Sequence, residues 1–219
     1  LVFRDTILGF VTGVHVSTSK NLKIGDWIGI PKYNIEGNIQ DINLLTTKIV
    51  NFDKTISTIP TYDLLSTEIR NHQVMYEGSS RRIKRSIYFN IKSFKFVDDE
   101  FYEKVKDINL ISEYMDRKLR EIAESKKNIP HAERIINGQQ LTNIGLFRNY
   151  VLNYLKNNPK VDQDEIVLVR QLEISPQGMP LEIYCFANKA ELVDYERIQA
   201  DIFDHILTAA QEFDLEIMQ

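Results

Sequence analysis

Between residues 22 and 60 the hydrophobic positions fall into four short runs, each bounded by Gly, Pro, Asn or Asp. The runs are rich in β-branched and aromatic residues, which predicts four strands, at 27–30, 37–44, 46–51 and 55–59. In the second run the apolar positions change parity between Ile39 and Ile42, which predicts a β-bulge or a sharp bend. Short, strongly bent antiparallel strands are typical of a small β-barrel, and we expect one over residues 21–70.

The stretch before the strands, residues 4–19, has apolar residues at three- and four-residue spacing, which predicts a helix. Gly9 and Gly13 fall on one face of this helix. Each glycine costs about 1 kcal/mol relative to alanine in a helix interior, so the pair indicates that another backbone approaches this face closely. The alternative is a poorly formed helix or a β-prone linker. Because the chain opens on Leu1, inside this pattern, we expect it to be part of a longer protein.

After a polar hinge at residues 71–82, the pattern changes to a mixture of strands and long helices. It predicts, in order, strand 85–96, a helical stretch over 98–125 with a break near Asn109, helix 141–155, strands 165–172 and 181–187, helix 191–213 and strand 215–218. Without the helix at 141–155, this is the β-α-β-β-α-β order of a ferredoxin-like fold. We therefore predict an α+β protein whose second part, residues 71–219, is a ferredoxin-like α/β domain with a helical insertion at about 127–160.

Composition excludes several classes of protein. The formal net charge is −4, which provides no general attraction to nucleic acid or to anionic lipid. The single cysteine, Cys185, excludes a disulfide framework and a cysteine metal site. The sequence contains no run of 18 apolar residues, so this chain by itself predicts no membrane-spanning helix.

Local motifs for catalysis are missing from the sequence. The four histidines are scattered without ligand spacing, and there is neither a glycine-rich phosphate loop nor a nucleophile elbow. The acidic run Asp98–Glu100 is best interpreted as a helix N-terminus, where negative charge is favoured. The basic cluster at residues 81–85 is interpreted as a solvated strand edge rather than a phosphate site. We therefore expect no catalytic residue, no cofactor and no metal ion, and a protein that is not an enzyme.

Several stretches, taken in order, resemble the small-conductance mechanosensitive channel family. In the first third these are Leu-Lys-Ile-Gly-Asp-Trp, Gly-Asn-Ile-Gln-Asp-Ile, Thr-Thr-Lys-Ile-Val-Asn-Phe-Asp and Thr-Ile-Pro. Later stretches resemble the miniconductance branch of that family: residues 81–87, 142–148, 168–172, 180–184 and 198–206. The resemblance covers nearly the whole chain.

The resemblance implies a role for each part of the chain. Residues 1–20 would be the cytoplasmic half of a pore helix, 21–70 an Sm-like β domain, and 71–219 the wall of a cytoplasmic vestibule. The family assembles as a homo-heptamer that opens under membrane tension and releases ions and small solutes during hypoosmotic shock. The implied location is the bacterial inner membrane, with this part on the cytoplasmic side and the bilayer contacted through the preceding part.

The resemblance also implies roles for single residues. Gly9 and Gly13 would pack pore helices together, and the β domain would be framed by Gly25, Asp26, Trp27, Gly37 and Pro60. The chain departs from the family's pattern at Thr61, where the better-known branch has Asn after Ile-Pro, and in the stretch 127–160. The apolar residues that constrict the family's pore lie upstream of Leu1. Conductance and gating tension are therefore not transferred from that branch.

Two alternatives remain at this stage. Small barrels of this kind also occur in Sm-like nucleic-acid-binding proteins, although the acidic net charge argues against nucleic acid as a partner. The second part could instead be a ligand-sensing regulatory module that acts through the inserted helices.

Overall fold

The computed structural model describes residues 3–18 and 21–218, which belong to two compact units, Leu1–Gly78 and Ser79–Gln219. The boundary falls inside the polar hinge predicted at residues 71–82, after the predicted end of the β domain at residue 70. His72 belongs to the first unit: its backbone N–H donates to the carbonyl of Trp27 (2.8 Å), and its ring lies tilted against the indole with 5.0 Å between the ring centroids.

The first unit is a helix followed by a five-stranded antiparallel sheet. Its helices are α1 (Arg4–Thr18), α2 (Asp63–Ser66) and α3 (Gln73–Glu77), and its strands are β1 (Trp27–Ile30), β2 (Ile35–Ile42), β3 (Thr46–Asn51), β4 (Ile56–Pro60) and β5 (Arg70–Asn71). The strand order is β4-β3-β2-β1-β5. All four predicted strands are present. The predicted helix is α1, and the remaining predictions for residues 1, 2, 19 and 20 lie outside the described residues.

Isoleucines from every long strand form the core of this sheet: Ile28, Ile30, Ile39, Ile49 and Ile59, together with Leu64. The pairing of β2 with β3 shifts register between Ile39 and Asp41, which confirms the bulge predicted from the change of parity. Gly37 lies beside Val50, where an added Cβ would come within 2.2 Å of the carbonyl oxygen. The two strands approach this closely only because Gly37 has no side chain.

Pro60 ends β4, an outer strand of the sheet, where the missing N–H of proline is tolerated. Within the described residues, no ladder joins β4 to β5. Closure into an Sm-like barrel therefore stays a prediction, whereas the antiparallel, bulged sheet is observed.

The second unit combines helices with a three-stranded antiparallel sheet. Its elements are β6 (Arg81–Phe89), α4 (Asp99–Val105), α5 (Asn109–Lys126), α6 (Asn143–Lys156), β7 (Leu168–Gln171), β8 (Met179–Ala187) and α7 (Leu192–Ala209). The strand order is β6-β8-β7, and Ile217 forms an antiparallel bridge to Phe89 on the other side of β6. This arrangement is the split β-α-β order of a ferredoxin-like fold, and the prediction of an α+β protein is confirmed.

The helix expected to be an insertion turns out to belong to the core. Phe147 of α6 is fully buried, with its ring 5.6 Å from that of Phe89 and 5.3 Å from that of Phe213. Helix α6 packs on β7, while α5 packs on α6. The insertion at 127–160 stays a prediction, and α6, which lies within that stretch, packs into the core of the second unit. Counting elements along the chain cannot show which of several consecutive helices covers the sheet.

A buried amide joins α6 to its surroundings. The Asn143 side chain accepts a hydrogen bond from the Lys95 N–H (3.0 Å), and it donates to the carbonyls of Ser93 (2.9 Å) and Phe213 (3.1 Å). Asn143 is 0% exposed, so no water can replace these partners. One side chain thus satisfies three backbone groups from two distant segments.

We expect Asn143→Ala to lower the free energy of unfolding of the second unit by about 3 kcal/mol, because buried backbone groups lose their partner. Urea unfolding followed by circular dichroism measures this loss. Asn188→Ala is the matched control, since that exposed amide makes one hydrogen bond, to the Pro159 carbonyl. Equal effects of the two substitutions would contradict the role of Asn143.

Candidate functional site at the contact between helix α1 and the β2–β3 loop

Helix α1 has a narrow buried face made of small residues. Gly9 is buried, and Thr12, one turn further along, is 2% exposed. The Thr12 hydroxyl donates to the carbonyl of Leu8 (2.8 Å), so it needs no partner outside the helix. This face therefore presents a smooth surface to the rest of the first unit.

Gly9 lies against the loop between β2 and β3. An ideal Cβ at Gly9 would lie 1.7 Å from the carbonyl oxygen of Leu44 and 3.0 Å from its carbonyl carbon. No side chain fits in that space, so the contact depends on glycine. Gly13 differs: an added Cβ there would have no described atom within 4 Å.

The β2–β3 loop is held from its other side by Thr61. The Thr61 N–H donates to the carbonyl of Leu45 (3.0 Å), and its hydroxyl donates to the carbonyl of Asn43 (2.7 Å). A second hydroxyl, that of Thr47, lies 3.1 Å from the Thr61 hydroxyl. Both threonines are 0% exposed. The loop is thus clamped between α1 and the residue that follows β4, and we call this arrangement the loop clamp.

Helix α2, next to the loop clamp, is tied to the β1–β2 connection by a buried carboxylate. Asp63, 1% exposed, accepts hydrogen bonds from Tyr33 and Ser66, and it lies 3.5 Å from the Lys32 ammonium. Burial opposes ionisation of Asp63, but these hydrogen bonds and the nearby positive charge outweigh it and lower the pKa of the carboxyl. The segment at residues 61–63 is therefore bound to the β2–β3 loop through Thr61 and to the β1–β2 connection through Asp63.

Apolar side chains make up much of the exposed surface of α1 and of the residue before it. At least half of each side chain is exposed for Phe3, Ile7, Phe10, Val11 and Val14. Leu44 and Leu45 in the loop are 52% and 55% exposed. A surface of this kind is typical of a contact with another protein or with a membrane. The described residues contain no helix that is long and apolar enough to cross a membrane.

Four of the predicted framework residues lie together around the start of β1. Gly25 adopts a positive φ of +96°, its N–H donates to the carbonyl of Ile39 (2.8 Å), and its own carbonyl accepts from the Asn38 side chain (2.9 Å). The Asp26 carboxylate accepts from the N–H of Lys23 and from the Asn71 side chain, both at 3.0 Å. These contacts close the turn that leads into β1.

Trp27 and Gly37 follow directly in this arrangement. The Trp27 indole donates to Glu36 (3.1 Å) and meets the Phe52 ring edge-on. Gly37 pairs with Ile28 in the adjacent strand. Pro60 lies in β4, next to Thr61. The structure thus gives these residues local structural contacts, while their functional roles stay predictions.

Sequence reasoning missed the loop clamp. In the sequence Thr61 stands out only as a departure from the family's pattern, and no local pattern distinguishes Thr47, Asn43 or Leu44. The available signal was weak, because a threonine after a strand-ending proline is common in loops. Only the fold brings Gly9, Leu44 and Thr61 into one chain of contacts.

Residues with potential chemistry have structural surroundings. Burial raises the pKa of the Cys185 thiol to about 12, so it is not a nucleophile at neutral pH. The His205 ring lies 2.7 Å from the Tyr150 hydroxyl and stacks on Tyr154. Asp98 accepts from the Phe101 N–H (2.8 Å), which confirms the helix N-terminus. Among the residues described, no group of three or more His, Cys, Asp or Glu could hold a metal ion.

The basic cluster on β6 has partners within its own unit. The guanidinium groups of Arg81 and Arg85 lie 4.4 and 4.5 Å from the ring centroids of Tyr195 and Phe203. Lys84 lies 3.9 Å from the carboxylate of Glu182. Contacts of this kind explain the basic run without a nucleic-acid partner.

Comparison with known proteins agrees with this architecture. Residues 5–74 match the family model described as "Mechanosensitive ion channel, beta-domain", and residues 132–217 match "Mechanosensitive ion channel MscS, C-terminal". Together the two matches cover well over half of the chain. The second begins inside the stretch predicted to be an insertion, in keeping with the core position of α6.

Two curated relatives are mechanosensitive channels. The low conductance mechanosensitive channel YnaI of Escherichia coli is 23% identical over 208 residues, which are 95% of this chain and 46% of that protein. The small-conductance mechanosensitive channel MscMJ of Methanocaldococcus jannaschii is 34% identical over 71 residues, which are 32% of this chain and 20% of that protein. The chain thus spans less than half the length of each of these relatives.

Solved structures show the same fold. Arabidopsis thaliana MSL1 superposes with a TM-score of 0.64 at 16% identity, over 100% of this chain and 60% of that one. Helicobacter pylori MscS in its closed state superposes with a TM-score of 0.60 at 15% identity, over 100% of this chain and 64% of that one. With two matching family models, a bulged β unit and a ferredoxin-like unit in the same order, the chain belongs to the MscS family of mechanosensitive ion channels.

Proposed function

We propose that this chain is the cytoplasmic part of a tension-gated channel that releases ions and small solutes on hypoosmotic shock. The observation that carries the proposal is the contact of Gly9 with the β2–β3 loop, held by Thr61. A helix that continues a pore must be connected firmly to the part below it, and the loop clamp provides that connection.

The physical sequence of gating follows from this connection. Tension widens the membrane part that precedes α1, and α1 then moves relative to the lipid. Because a packed contact has discrete arrangements and deforms little, the motion either breaks the contact at Leu44 or carries the β unit with it. In both cases the Gly9 contact contributes to the energy difference between closed and open states.

The exposed apolar surface of α1 supports a multisubunit arrangement. Its side chains need cover, and seven copies of α1 around an axis would provide it. Small residues spaced four apart, such as Gly9 and Gly13, let helices approach closely. In this arrangement Gly9 packs against the loop of its own chain, and Gly13, one turn further along the same face and beyond the loop, packs against a neighbouring helix.

The second unit would line a water-filled vestibule through which solutes pass before they enter the pore. Its sheet and helices form one continuous core, which suits a rigid wall. By resemblance, the channel lies in a bacterial inner membrane with this part on the cytoplasmic side. No catalytic chemistry is needed for this role.

The first of three predictions that follow from this function concerns the stability of the loop clamp. Thr61→Val keeps the shape of the side chain but removes a buried hydroxyl, which leaves the Asn43 carbonyl without its donor. We expect the free energy of unfolding of the first unit to fall by about 1–3 kcal/mol in urea. Thr58→Val, at an exposed position of β4, the strand that Thr61 follows, should change it by less than about 0.5 kcal/mol. Indistinguishable results would contradict the clamp.

The second prediction tests gating in the full-length channel that contains this chain. Gly9→Ala places a methyl group against the Leu44 carbonyl and destabilises the packing of the chain at rest. In patch recordings we expect the variant to open at lower tension than the wild type.

A double-mutant cycle makes this test specific. If Gly9 and Thr61 act through the same loop, the effects of Gly9→Ala and Thr61→Val on the opening free energy are not additive. Additive shifts would show that the two residues act independently. An unchanged threshold in the Gly9→Ala channel would remove the gating role of the contact.

The third prediction concerns assembly. Light scattering of the 219-residue chain is expected to give a mass about seven times that of one chain. A monomer at all concentrations measured would contradict self-assembly of this part. The ring would then depend on the membrane segments.

A further inference from the structure

An open groove of about 620 Å³ crosses the second unit between α5, α6 and β7. Its volume lies within the range of small-molecule sites in proteins, which is roughly 300–1,000 Å³. The lining comes from three elements and from the segment before α6. The groove is separate from the loop clamp, since it lies entirely within the other unit.

The charge of the groove has one sign. Lys118, Arg148 and Arg170 line it, and the described residues of the lining include no aspartate or glutamate. This contrasts with the chain as a whole, which has 31 acidic and 27 basic side chains. Positive side chains along a concave surface attract anions, although two of these three also pair with carboxylates outside the lining.

The three cations differ in their partners. Lys118 bonds to Glu121 on the same helix (2.6 Å). Arg170 makes a two-pronged contact with the buried Glu182 through Nε (2.8 Å) and Nη2 (2.7 Å). The Arg148 guanidinium has no hydrogen bond, ion pair or ring contact with any residue that the structure describes.

Arg148 is therefore the cation available to a ligand. It is half-buried on α6, where a guanidinium without an anion is less well solvated than at the surface. An anion in the groove would provide the hydrogen bonds that its planar donors lack. The N-terminus of α6 is not the source of the attraction, because the Gly145 N–H already donates to Thr142 (3.1 Å).

The remaining lining is partly apolar and partly amide. Ile122, Leu141 and Val169 are at most 8% exposed and form an apolar floor. Gln139, Gln140 and Gln171 add amide groups that can donate or accept hydrogen bonds. A bare ion would leave the apolar floor unused, whereas an organic body would cover it.

We propose that this groove binds a small organic anion, with a carboxylate or phosphate on Arg148 and a non-polar body on the apolar floor. The ligand would contact α5, α6 and β7 at once. It would therefore stabilise the packing of the two long helices against the sheet, which gives the vestibule unit a means of regulation by solutes.

Isothermal titration calorimetry of the 219-residue chain with phenyl phosphate and with benzoate tests the proposal. At least one of the two should bind at one site per chain, and more tightly than inorganic phosphate or neutral benzyl alcohol. Arg148→Gln should weaken that binding about tenfold or more, because a charge-assisted hydrogen bond is lost.

Arg120→Gln is the matched control, since it removes the same charge from an exposed position of α5 outside the groove. It should change the affinity less than twofold. Gln139→Glu, at an exposed position of the lining, should also weaken binding by placing a negative charge in the groove. This second variant keeps the test valid if Arg148→Gln disturbs folding.

Three results would overturn the proposal. The first is that neither phenyl phosphate nor benzoate binds. The second is that inorganic phosphate binds as tightly as both. The third is that Arg120→Gln weakens binding as much as Arg148→Gln and Gln139→Glu do, which would indicate unspecific charge attraction.

Discussion

The first unit depends on one close approach between a helix and a loop. At Gly9 the helix backbone comes so near the Leu44 carbonyl that no side chain can be accommodated. The loop can serve as a fixed surface because Thr61 binds it through both its N–H and its hydroxyl. A glycine in a helix interior is a local cost, and here the tertiary contact offsets it. Movement of α1 and the conformation of the loop are consequently linked.

The second unit depends on a different kind of interaction. Its core is apolar, but the position of α6 is set by the buried amide of Asn143. Apolar packing alone tolerates small rotations and shifts of a helix, whereas a buried amide with several partners accepts only one arrangement. In each unit, one buried side chain forms hydrogen bonds with backbone groups from distant segments. This side chain is Thr61 in the first unit and Asn143 in the second. Such groups specify geometry more than they add stability.

Much of the local structure followed from the sequence. The β-branched runs bounded by turn residues identified β1–β4, and the change of parity after Ile39 located the bulge, because side chains alternate strictly along a strand. The order of elements in the second part identified the split β-α-β arrangement. The helical stripe over 98–125 carries a predicted break near Asn109, and the chain does divide there into α4 and α5. Boundaries were less certain than elements, because flanking turns depend on hydrogen bonds to distant residues.

By itself, then, the sequence determined the antiparallel sheets, the helices and the likeness to mechanosensitive channels, since periodicity and motif order are properties of the linear chain. Only the tertiary structure decided what each element touches. Leu44 faces Gly9, Thr61 faces Asn43, α6 packs on β7, and α5 packs on α6. Arg148 lies in a groove whose other walls come from distant segments. Contacts between residues far apart in the chain depend on packing and burial, and local patterns carry no information about either partner's position.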